Sequence, residues 1–124
     1  MKLLKRIYAI RSQLAGVAQG VYDEWDQDED GFSEEHGYGG ICDVIAESMG
    51  GWISSTMDGV EIVDGGQEGD DHAFIVVLSK REAVLVDIPP SVYETGGGYC
   101  WKKKRGVVFD ENDIVVERLE RELF

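Results

Sequence analysis

Three residues of this chain have the types and the order that a thiol-dependent catalyst needs: Cys42, His72 and Asp87. Cys42 follows the glycines of GGIC and stands at the first turn of a predicted helix, where unpaired N–H groups and the helix dipole favour a thiolate. His72 opens the predicted strand HAFIVVL, and Asp87 lies near the end of the next strand, in VLVDI. Because a thiolate needs a base and the base needs an orienting acceptor, the pattern predicts a catalytic triad.

The pairing of these two strands decides whether His72 can reach Asp87. If residues 79–82 form a four-residue hairpin loop, Phe74 lies opposite Asp87, and His72 becomes a diagonal neighbour on the same face. A slip of one residue would turn Asp87 to the other face. The alternative is structural: Asp87 caps the strand end before Pro89, and His72 faces solvent.

The three segments resemble a known family. GGICDVIAESM, DDHAFIVVL and AVLVDIPP look like the Cys, His and Asp segments of the papain-like fold, in particular its transglutaminase-like branch, over roughly residues 40–90. The resemblance implies Cys42 as nucleophile, His72 as general base and then acid, and Asp87 as the orienter of the imidazole. It also implies a peptide or protein amide substrate, with no cofactor and no metal.

One part of the family pattern is absent. Papain-like proteases carry an oxyanion-stabilising Gln shortly before the nucleophile, whereas this chain has EEHGYGG there, with His36 and no Gln. Transglutaminases tend to use an aromatic residue, for which Tyr38 or Trp25 are the candidates. The backbone N–H of Cys42 is the remaining oxyanion donor, and loss of one donor commonly costs about 2.7 to 4 kcal/mol of transition-state stabilisation.

The stretch before Cys42 begins like a calcium-binding loop. An EF-hand loop takes oxygen ligands from positions 1, 3 and 5, has Gly at 6, and ends in a bidentate Glu at 12. Asp26, Asp28, Asp30 and Gly31 match the first half, but position 12 is Gly37. We therefore expect a solvated acidic loop over residues 26–35, with at most a weak cation site.

A zinc site can be assembled only from distant residues. His36, Cys42, His72 and Cys100 are zinc-ligand types. No pair of them has the short spacing of known zinc motifs, so we expect no metal.

The charge of the chain favours a second hypothesis, from a different class. A formal net charge of −13 with 25 acidic and 12 basic residues argues against binding a phosphate backbone, which requires Lys and Arg. The simple explanation is solubility. The functional alternative is a non-enzymatic binding protein or inhibitor, of the kind that phages and plasmids encode, whose DNA-like acidic surface docks on a basic protein partner.

The expected architecture is one α+β domain over residues 1–124, with N-terminal helices packed on an antiparallel sheet, as in the papain-like core. Apolar residues recur every three or four positions over 3–25, which predicts one helix, and a second helix begins at Ile41, although Gly50 and Gly51 could end it early. Strands are expected at 60–63, 73–78 and 83–88. Residues 106–109 and the segment after Asp110 add two strands, or Asp110 starts a short capped helix.

The remaining segments give weaker signals. The aromatic and glycine-rich loop over residues 89–99 could wall a substrate groove or anchor the core. Lys5, Arg6 and Arg11 interrupt the N-terminal apolar run, so no signal-peptide core forms, and no segment is long enough to span a membrane. Two cysteines suit a reducing compartment. We therefore expect a cytoplasmic protein.

Overall fold

A computed structural model of the chain describes residues 2–27, 41–65, 74–88, 94–96, 99–102 and 108–124, with the backbone alone for residues 25–27, 41–43, 94–96 and 99–102. The helices in these ranges are α1 (Lys2–Ala9), α2 (Arg11–Gln27) and α3 (Ile41–Thr56). The strands are β1 (Glu61–Gly65), β2 (Phe74–Leu78), β3 (Ala83–Asp87), β4 (Glu94–Gly96), β5 (Tyr99–Lys102) and β6 (Val115–Leu119). Short 3₁₀ turns cover Glu111–Asp113 and Arg121–Leu123.

The main sheet is antiparallel and has the strand order β1-β2-β3-β6. The β2–β3 hairpin pairs Leu78 with Ala83, which leaves the four-residue loop that the sequence predicts. Within that loop the Ser79 N–H donates to the Glu82 carbonyl at 2.9 Å. The prediction of an α+β fold with helices first and an antiparallel sheet afterwards is confirmed.

The core lies between one face of this sheet and the three helices. Alternation along β2 and β3 directs Ile75, Val77, Val84 and Val86 toward the helices, because successive side chains of a strand point to opposite faces. The helices fill this layer with a set of fully or nearly buried side chains: Leu3, Ile7, Leu14, Ala18, Tyr22, Ile45, Met49 and Ile53. Val76, Leu78 and Ala83 form a second apolar cluster on the opposite face.

The N-terminal segment is two helices, and the prediction of one continuous helix over 3–25 is wrong at Ile10. There the Ile10 N–H donates to the Ile7 carbonyl at 3.1 Å, a tightened turn that separates α1 from α2. After the break Ala15, Ala18 and Tyr22 are buried instead of Val17 and Val21. The break therefore lets each helix turn its own apolar side toward the sheet. No described helix is both long and apolar enough to cross a membrane.

The second predicted helix is confirmed and continues through its glycine pair to Thr56. Gly50 is buried, and a Cβ at this position would stand 3.0 Å from the Ile62 side chain on β1. A glycine in a helix interior costs about 1 kcal/mol relative to alanine. Close packing of α3 against β1 offsets this cost, which explains why the helix does not end there.

The C-terminal part combines the two predicted alternatives. Asp110 caps the 3₁₀ turn Glu111–Asp113, with its side chain accepting from the Asn112 N–H at 2.7 Å, and strand β6 follows directly. Val108 and Phe109 are not in a strand, so the prediction of one at 106–109 is wrong for the described half of that segment. The predicted loop over 89–99 instead contains β4 and the start of β5.

Candidate functional site

Asp87 ends strand β3 in the register that the sequence predicts. The pair Ile75–Val86 places Phe74 opposite Asp87 one residue further along the ladder. The half-buried Asp87 carboxylate accepts the Ile88 N–H at 2.7 Å. This hydrogen bond is the strand-end cap that the structural alternative expects. His72, the predicted partner, lies outside the described residues.

The sheet face on which Asp87 falls bears directly on the predicted triad. Val86 faces the helices, so the alternation of the strand turns Asp87 to the face that carries Val76 and Ala83. Cys42 belongs to α3, which packs on the helix side of the sheet. An imidazole oriented by Asp87 would therefore lie on the sheet face opposite to α3, the helix that carries the thiol. The triad stays a prediction, and Asp87 is its weakest member.

Cys42 is the second residue of α3, as predicted from GGIC. In the first turn of a helix the backbone N–H groups have no intrahelical acceptors, so a thiolate is favoured there. Its side chain is outside the described set, as are those of Trp25 and Cys100, and His36 and Tyr38 lie outside the described residues altogether.

Most residues of the predicted calcium and zinc sites lie outside the described ranges. Asp26, the first position of the calcium-like loop, lies in the last turn of α2, and residues 28–40 lie outside the described ranges. Among described residues no group of three or more His, Cys, Asp or Glu side chains could hold an ion.

A groove lies between α3 and the edge strand β1. Its volume is about 500 Å³, within the range of ligand pockets. We call it the acidic groove, and its described lining comprises Glu47, Gly50, Gly51, Ser54, Val60, Glu61, Ile62, Asp64 and Ile75.

The acidic groove has an apolar floor and a negatively charged rim. Ile75 is fully buried and Ile62 is half-buried, and both face the helix layer. Glu47 and Asp64 are exposed on the groove side, whereas Glu61 pairs with Leu78 and directs its side chain to the opposite face of the sheet. No lysine or arginine stands among the described lining residues. This combination suits a side chain with an aliphatic stem and a cationic end, because the stem covers apolar surface while the head stays at the carboxylates.

The glycine pair of α3 gives the groove its shape. Gly50 allows α3 to approach Ile62 closely, and at Gly51 an added Cβ would meet no atom within 4 Å. The exposed Gly51 therefore borders open space where any other residue would project a side chain. Asp64 pairs with Ile75 across the ladder, so its carboxylate arises on the helix side of the edge strand.

Sequence reasoning missed the acidic groove. Its residues come from α3 and from β1 and β2, and only the packing of the helix on the sheet brings them together. One local signal exists, since two adjacent glycines inside an amphipathic helix indicate a close approach by another element.

Comparisons of the chain with protein-family models, with curated proteins and with solved structures find no match. The fold and the groove define an acidic α+β protein with an open, carboxylate-rimmed groove. The assignment of a function therefore depends on the chemistry of these residues.

Proposed function

We propose that the protein is a non-enzymatic acidic binding protein whose acidic groove takes up basic side chains of a protein partner. The observation that carries this proposal is the combination of the floor of Ile62 and Ile75 with a rim that carries the carboxylates of Glu47 and Asp64. Lysine and arginine are the side chains that match both parts at once.

The overall charge supports the same kind of partner. With a net charge of −13, the chain repels nucleic acid and attracts basic surfaces over about one Debye length, roughly 8 Å at physiological ionic strength. Proteins that bind nucleic acid present such basic surfaces. Occupying them with carboxylates in place of phosphates would block nucleic-acid binding, and this is the inhibitory role that we assign.

A filled-groove variant tests the proposal with a matched control. Gly51→Leu introduces a side chain at the groove, whereas Gly16→Leu introduces the same side chain at an exposed helix position of α2 that also has no atom within 4 Å. The probe is a Lys- and Arg-rich peptide, titrated by calorimetry beside a peptide in which Gln replaces every basic residue.

We expect the basic peptide to bind the parent and the Gly16→Leu variant with equal affinity, and Gly51→Leu about tenfold or more weakly, since a filled groove excludes the aliphatic stems. Binding should weaken steeply with added salt. Equal affinity of both variants would show that the peptide binds elsewhere and would refute the groove.

The position of Cys42 favours a second candidate function. Here the chain would keep a papain-like or transglutaminase-like core, and the Cys42 thiolate in the first turn of α3 would attack an amide carbonyl of a peptide or protein. His72 would take and return the proton, and water or an amine would resolve the acyl-thioester. Asp87 would orient His72 from the neighbouring strand, and the pair would reach the thiol only if the chain at the strand end departs from regular alternation.

Alkylation separates this candidate from the first. The rate of Cys42 modification by iodoacetamide is followed by intact mass as a function of pH, in the parent, His72→Ala and Asp87→Asn, with Cys100→Ala as the background. A thiol pKa well below the reference of about 8.5 that rises in His72→Ala would support a Cys–His pair. An ordinary titration in all variants would contradict it.

A further inference from the structure

A second cleft, at the other end of the sheet, carries the opposite charge. Its volume is about 300 Å³. It lies between the β2–β3 hairpin loop and the C-terminal 3₁₀ turn, and we call it the arginine cleft. The described lining residues are Arg81, Arg118, Leu119, Glu120, Arg121 and Glu122. Three of the 12 basic residues of a strongly acidic chain therefore meet in one small concavity.

Arg121 is held in place by the backbone. Its Nε donates to the Ser79 carbonyl at 2.8 Å, and one terminal nitrogen donates at 3.3 Å to a carboxylate oxygen of Phe124, the last residue in the structure. A guanidinium has five N–H donors in a fixed fork, so three remain for another acceptor. Because the two bonds fix the plane of the group, little further side-chain entropy is lost when an anion binds.

The two glutamates that line the cleft do not neutralise this cluster. Within the described part of the chain, Glu120 and Glu122 line the cleft but form no ion pair with Arg81 or Arg121. Arg118 does interact with a carboxylate, since its charge helps to lower the pKa of Glu82. Two guanidinium groups in the cleft thus remain available to one ligand.

We propose that the arginine cleft is a binding site for a small oxyanion, either a phosphate group or a carboxylate. Both accept two parallel N–H bonds from a guanidinium fork, which is the geometry that arginine recognises best. The volume suits a small molecule, and the site is independent of the acidic groove, so either proposal can fail without the other.

Amide chemical shifts of the uniformly ¹⁵N-labelled chain test the proposal at low ionic strength. The probes are inorganic phosphate and succinate, each titrated separately, with chloride at matched ionic strength as the reference. Arg81→Gln removes a lining guanidinium from an exposed loop, and Lys80→Gln removes the same charge from the adjacent exposed residue, which does not line the cleft.

We expect saturable shifts at Leu119, Glu122 and Arg81 with at least one probe, and the probe that saturates identifies the class of anion. Affinity should fall about fivefold or more in Arg81→Gln and stay unchanged in Lys80→Gln, because charge-assisted bonds need the lining group itself. Shifts that rise linearly with both probes, or equal losses in the two variants, would overturn the site.

Discussion

The two outer strands of the main sheet, β1 and β6, border clefts of opposite charge. Beside β1 the acidic groove presents Glu47 and Asp64, whereas the arginine cleft beside β6 presents guanidinium groups from the hairpin loop, β6 and the C-terminal turn. The difference shows that a net charge of −13 is not spread evenly over this molecule. We therefore propose a different class of partner for each edge of the sheet.

The two clefts are also built differently. The floor of the acidic groove is the main core itself, through Ile75 and the approach of Gly50 to Ile62. The arginine cleft depends on hydrogen bonds from Arg121 to main-chain oxygens of Ser79 and Phe124. Changes at the first should therefore alter global stability, and changes at the second should mainly alter local binding.

The largest difference between the two regions should appear when their apolar residues are truncated. Ile75→Ala removes a fully buried side chain and should lower the free energy of unfolding by about 2 to 5 kcal/mol. Leu119→Ala removes a half-buried one and should cost about 1 kcal/mol. Urea unfolding followed by circular dichroism measures both, and similar losses would contradict the distinction.

Substitutions at Gly50 and Gly51 should change the stability of the fold by smaller amounts and in opposite directions. Gly50→Val places its Cβ 3.0 Å from Ile62 and should destabilise the fold by about 1 to 3 kcal/mol through overpacking. Gly51→Ala enters open space and should stabilise by about 1 kcal/mol through helix propensity. Thermal unfolding of the two variants checks this, and a stabilised Gly50→Val would show that α3 does not pack closely on β1.

Neutralising the rim should affect binding and leave the fold intact. Glu47→Gln with Asp64→Asn should weaken binding of a basic peptide about tenfold, since each exposed ion pair contributes up to about 1 kcal/mol. Glu111→Gln with Glu117→Gln changes the net charge equally, at exposed positions that do not line the acidic groove. If calorimetry gives equal losses for both pairs, the attraction comes from overall charge alone.

The smallest effect concerns Glu82, the carboxylate beside the arginine cleft. Hydrogen bonds from the amino terminus of the chain and from the Leu3 N–H, together with the charge of Arg118, hold the pKa of Glu82 below its usual value. A lowered pKa in the folded state stabilises the protein above the ordinary value of 4.5, and this stabilisation is lost as pH falls through the folded pKa.

We therefore expect Glu82→Gln to lower stability at pH 7 by less than about 1 kcal/mol and to reduce the slope of stability against pH in the acid range. Urea unfolding from pH 3 to pH 7 measures both quantities. An unchanged slope would show that the carboxylate gains nothing from folding.

Local patterns predicted the elements well, and packing between distant segments explains what they missed. The spacing of Ile45, Met49 and Ile53 and the length of the hairpin loop are properties of short stretches, so α3 and the β2–β3 register followed from them. The break at Ile10 did not follow from a local pattern, because the apolar period continues through it. The break depends on packing, since it lets α1 and α2 each turn an apolar side toward the sheet. The arginine cleft was also missed, since Arg81 and Arg121 lie far apart in the sequence and come together only where the C-terminal turn contacts the hairpin loop.

The thiol prediction shows the same limit. Residue type and order placed Cys42 in the first turn of a helix and Asp87 at a strand end, as observed. Which face of the sheet meets the helix is set by the whole apolar pattern of β2 and β3, and this pattern turns Asp87 away from α3.

The central claim is that basic side chains bind in the acidic groove, and amide shift mapping with a Lys- and Arg-rich peptide tests it most directly. We predict saturable shifts concentrated at Gly51, Ser54, Ile62 and Asp64, which disappear at high salt and in Gly51→Leu. Shifts spread evenly over exposed acidic residues such as Glu111 and Glu117, or no saturable shifts at all, would contradict the claim.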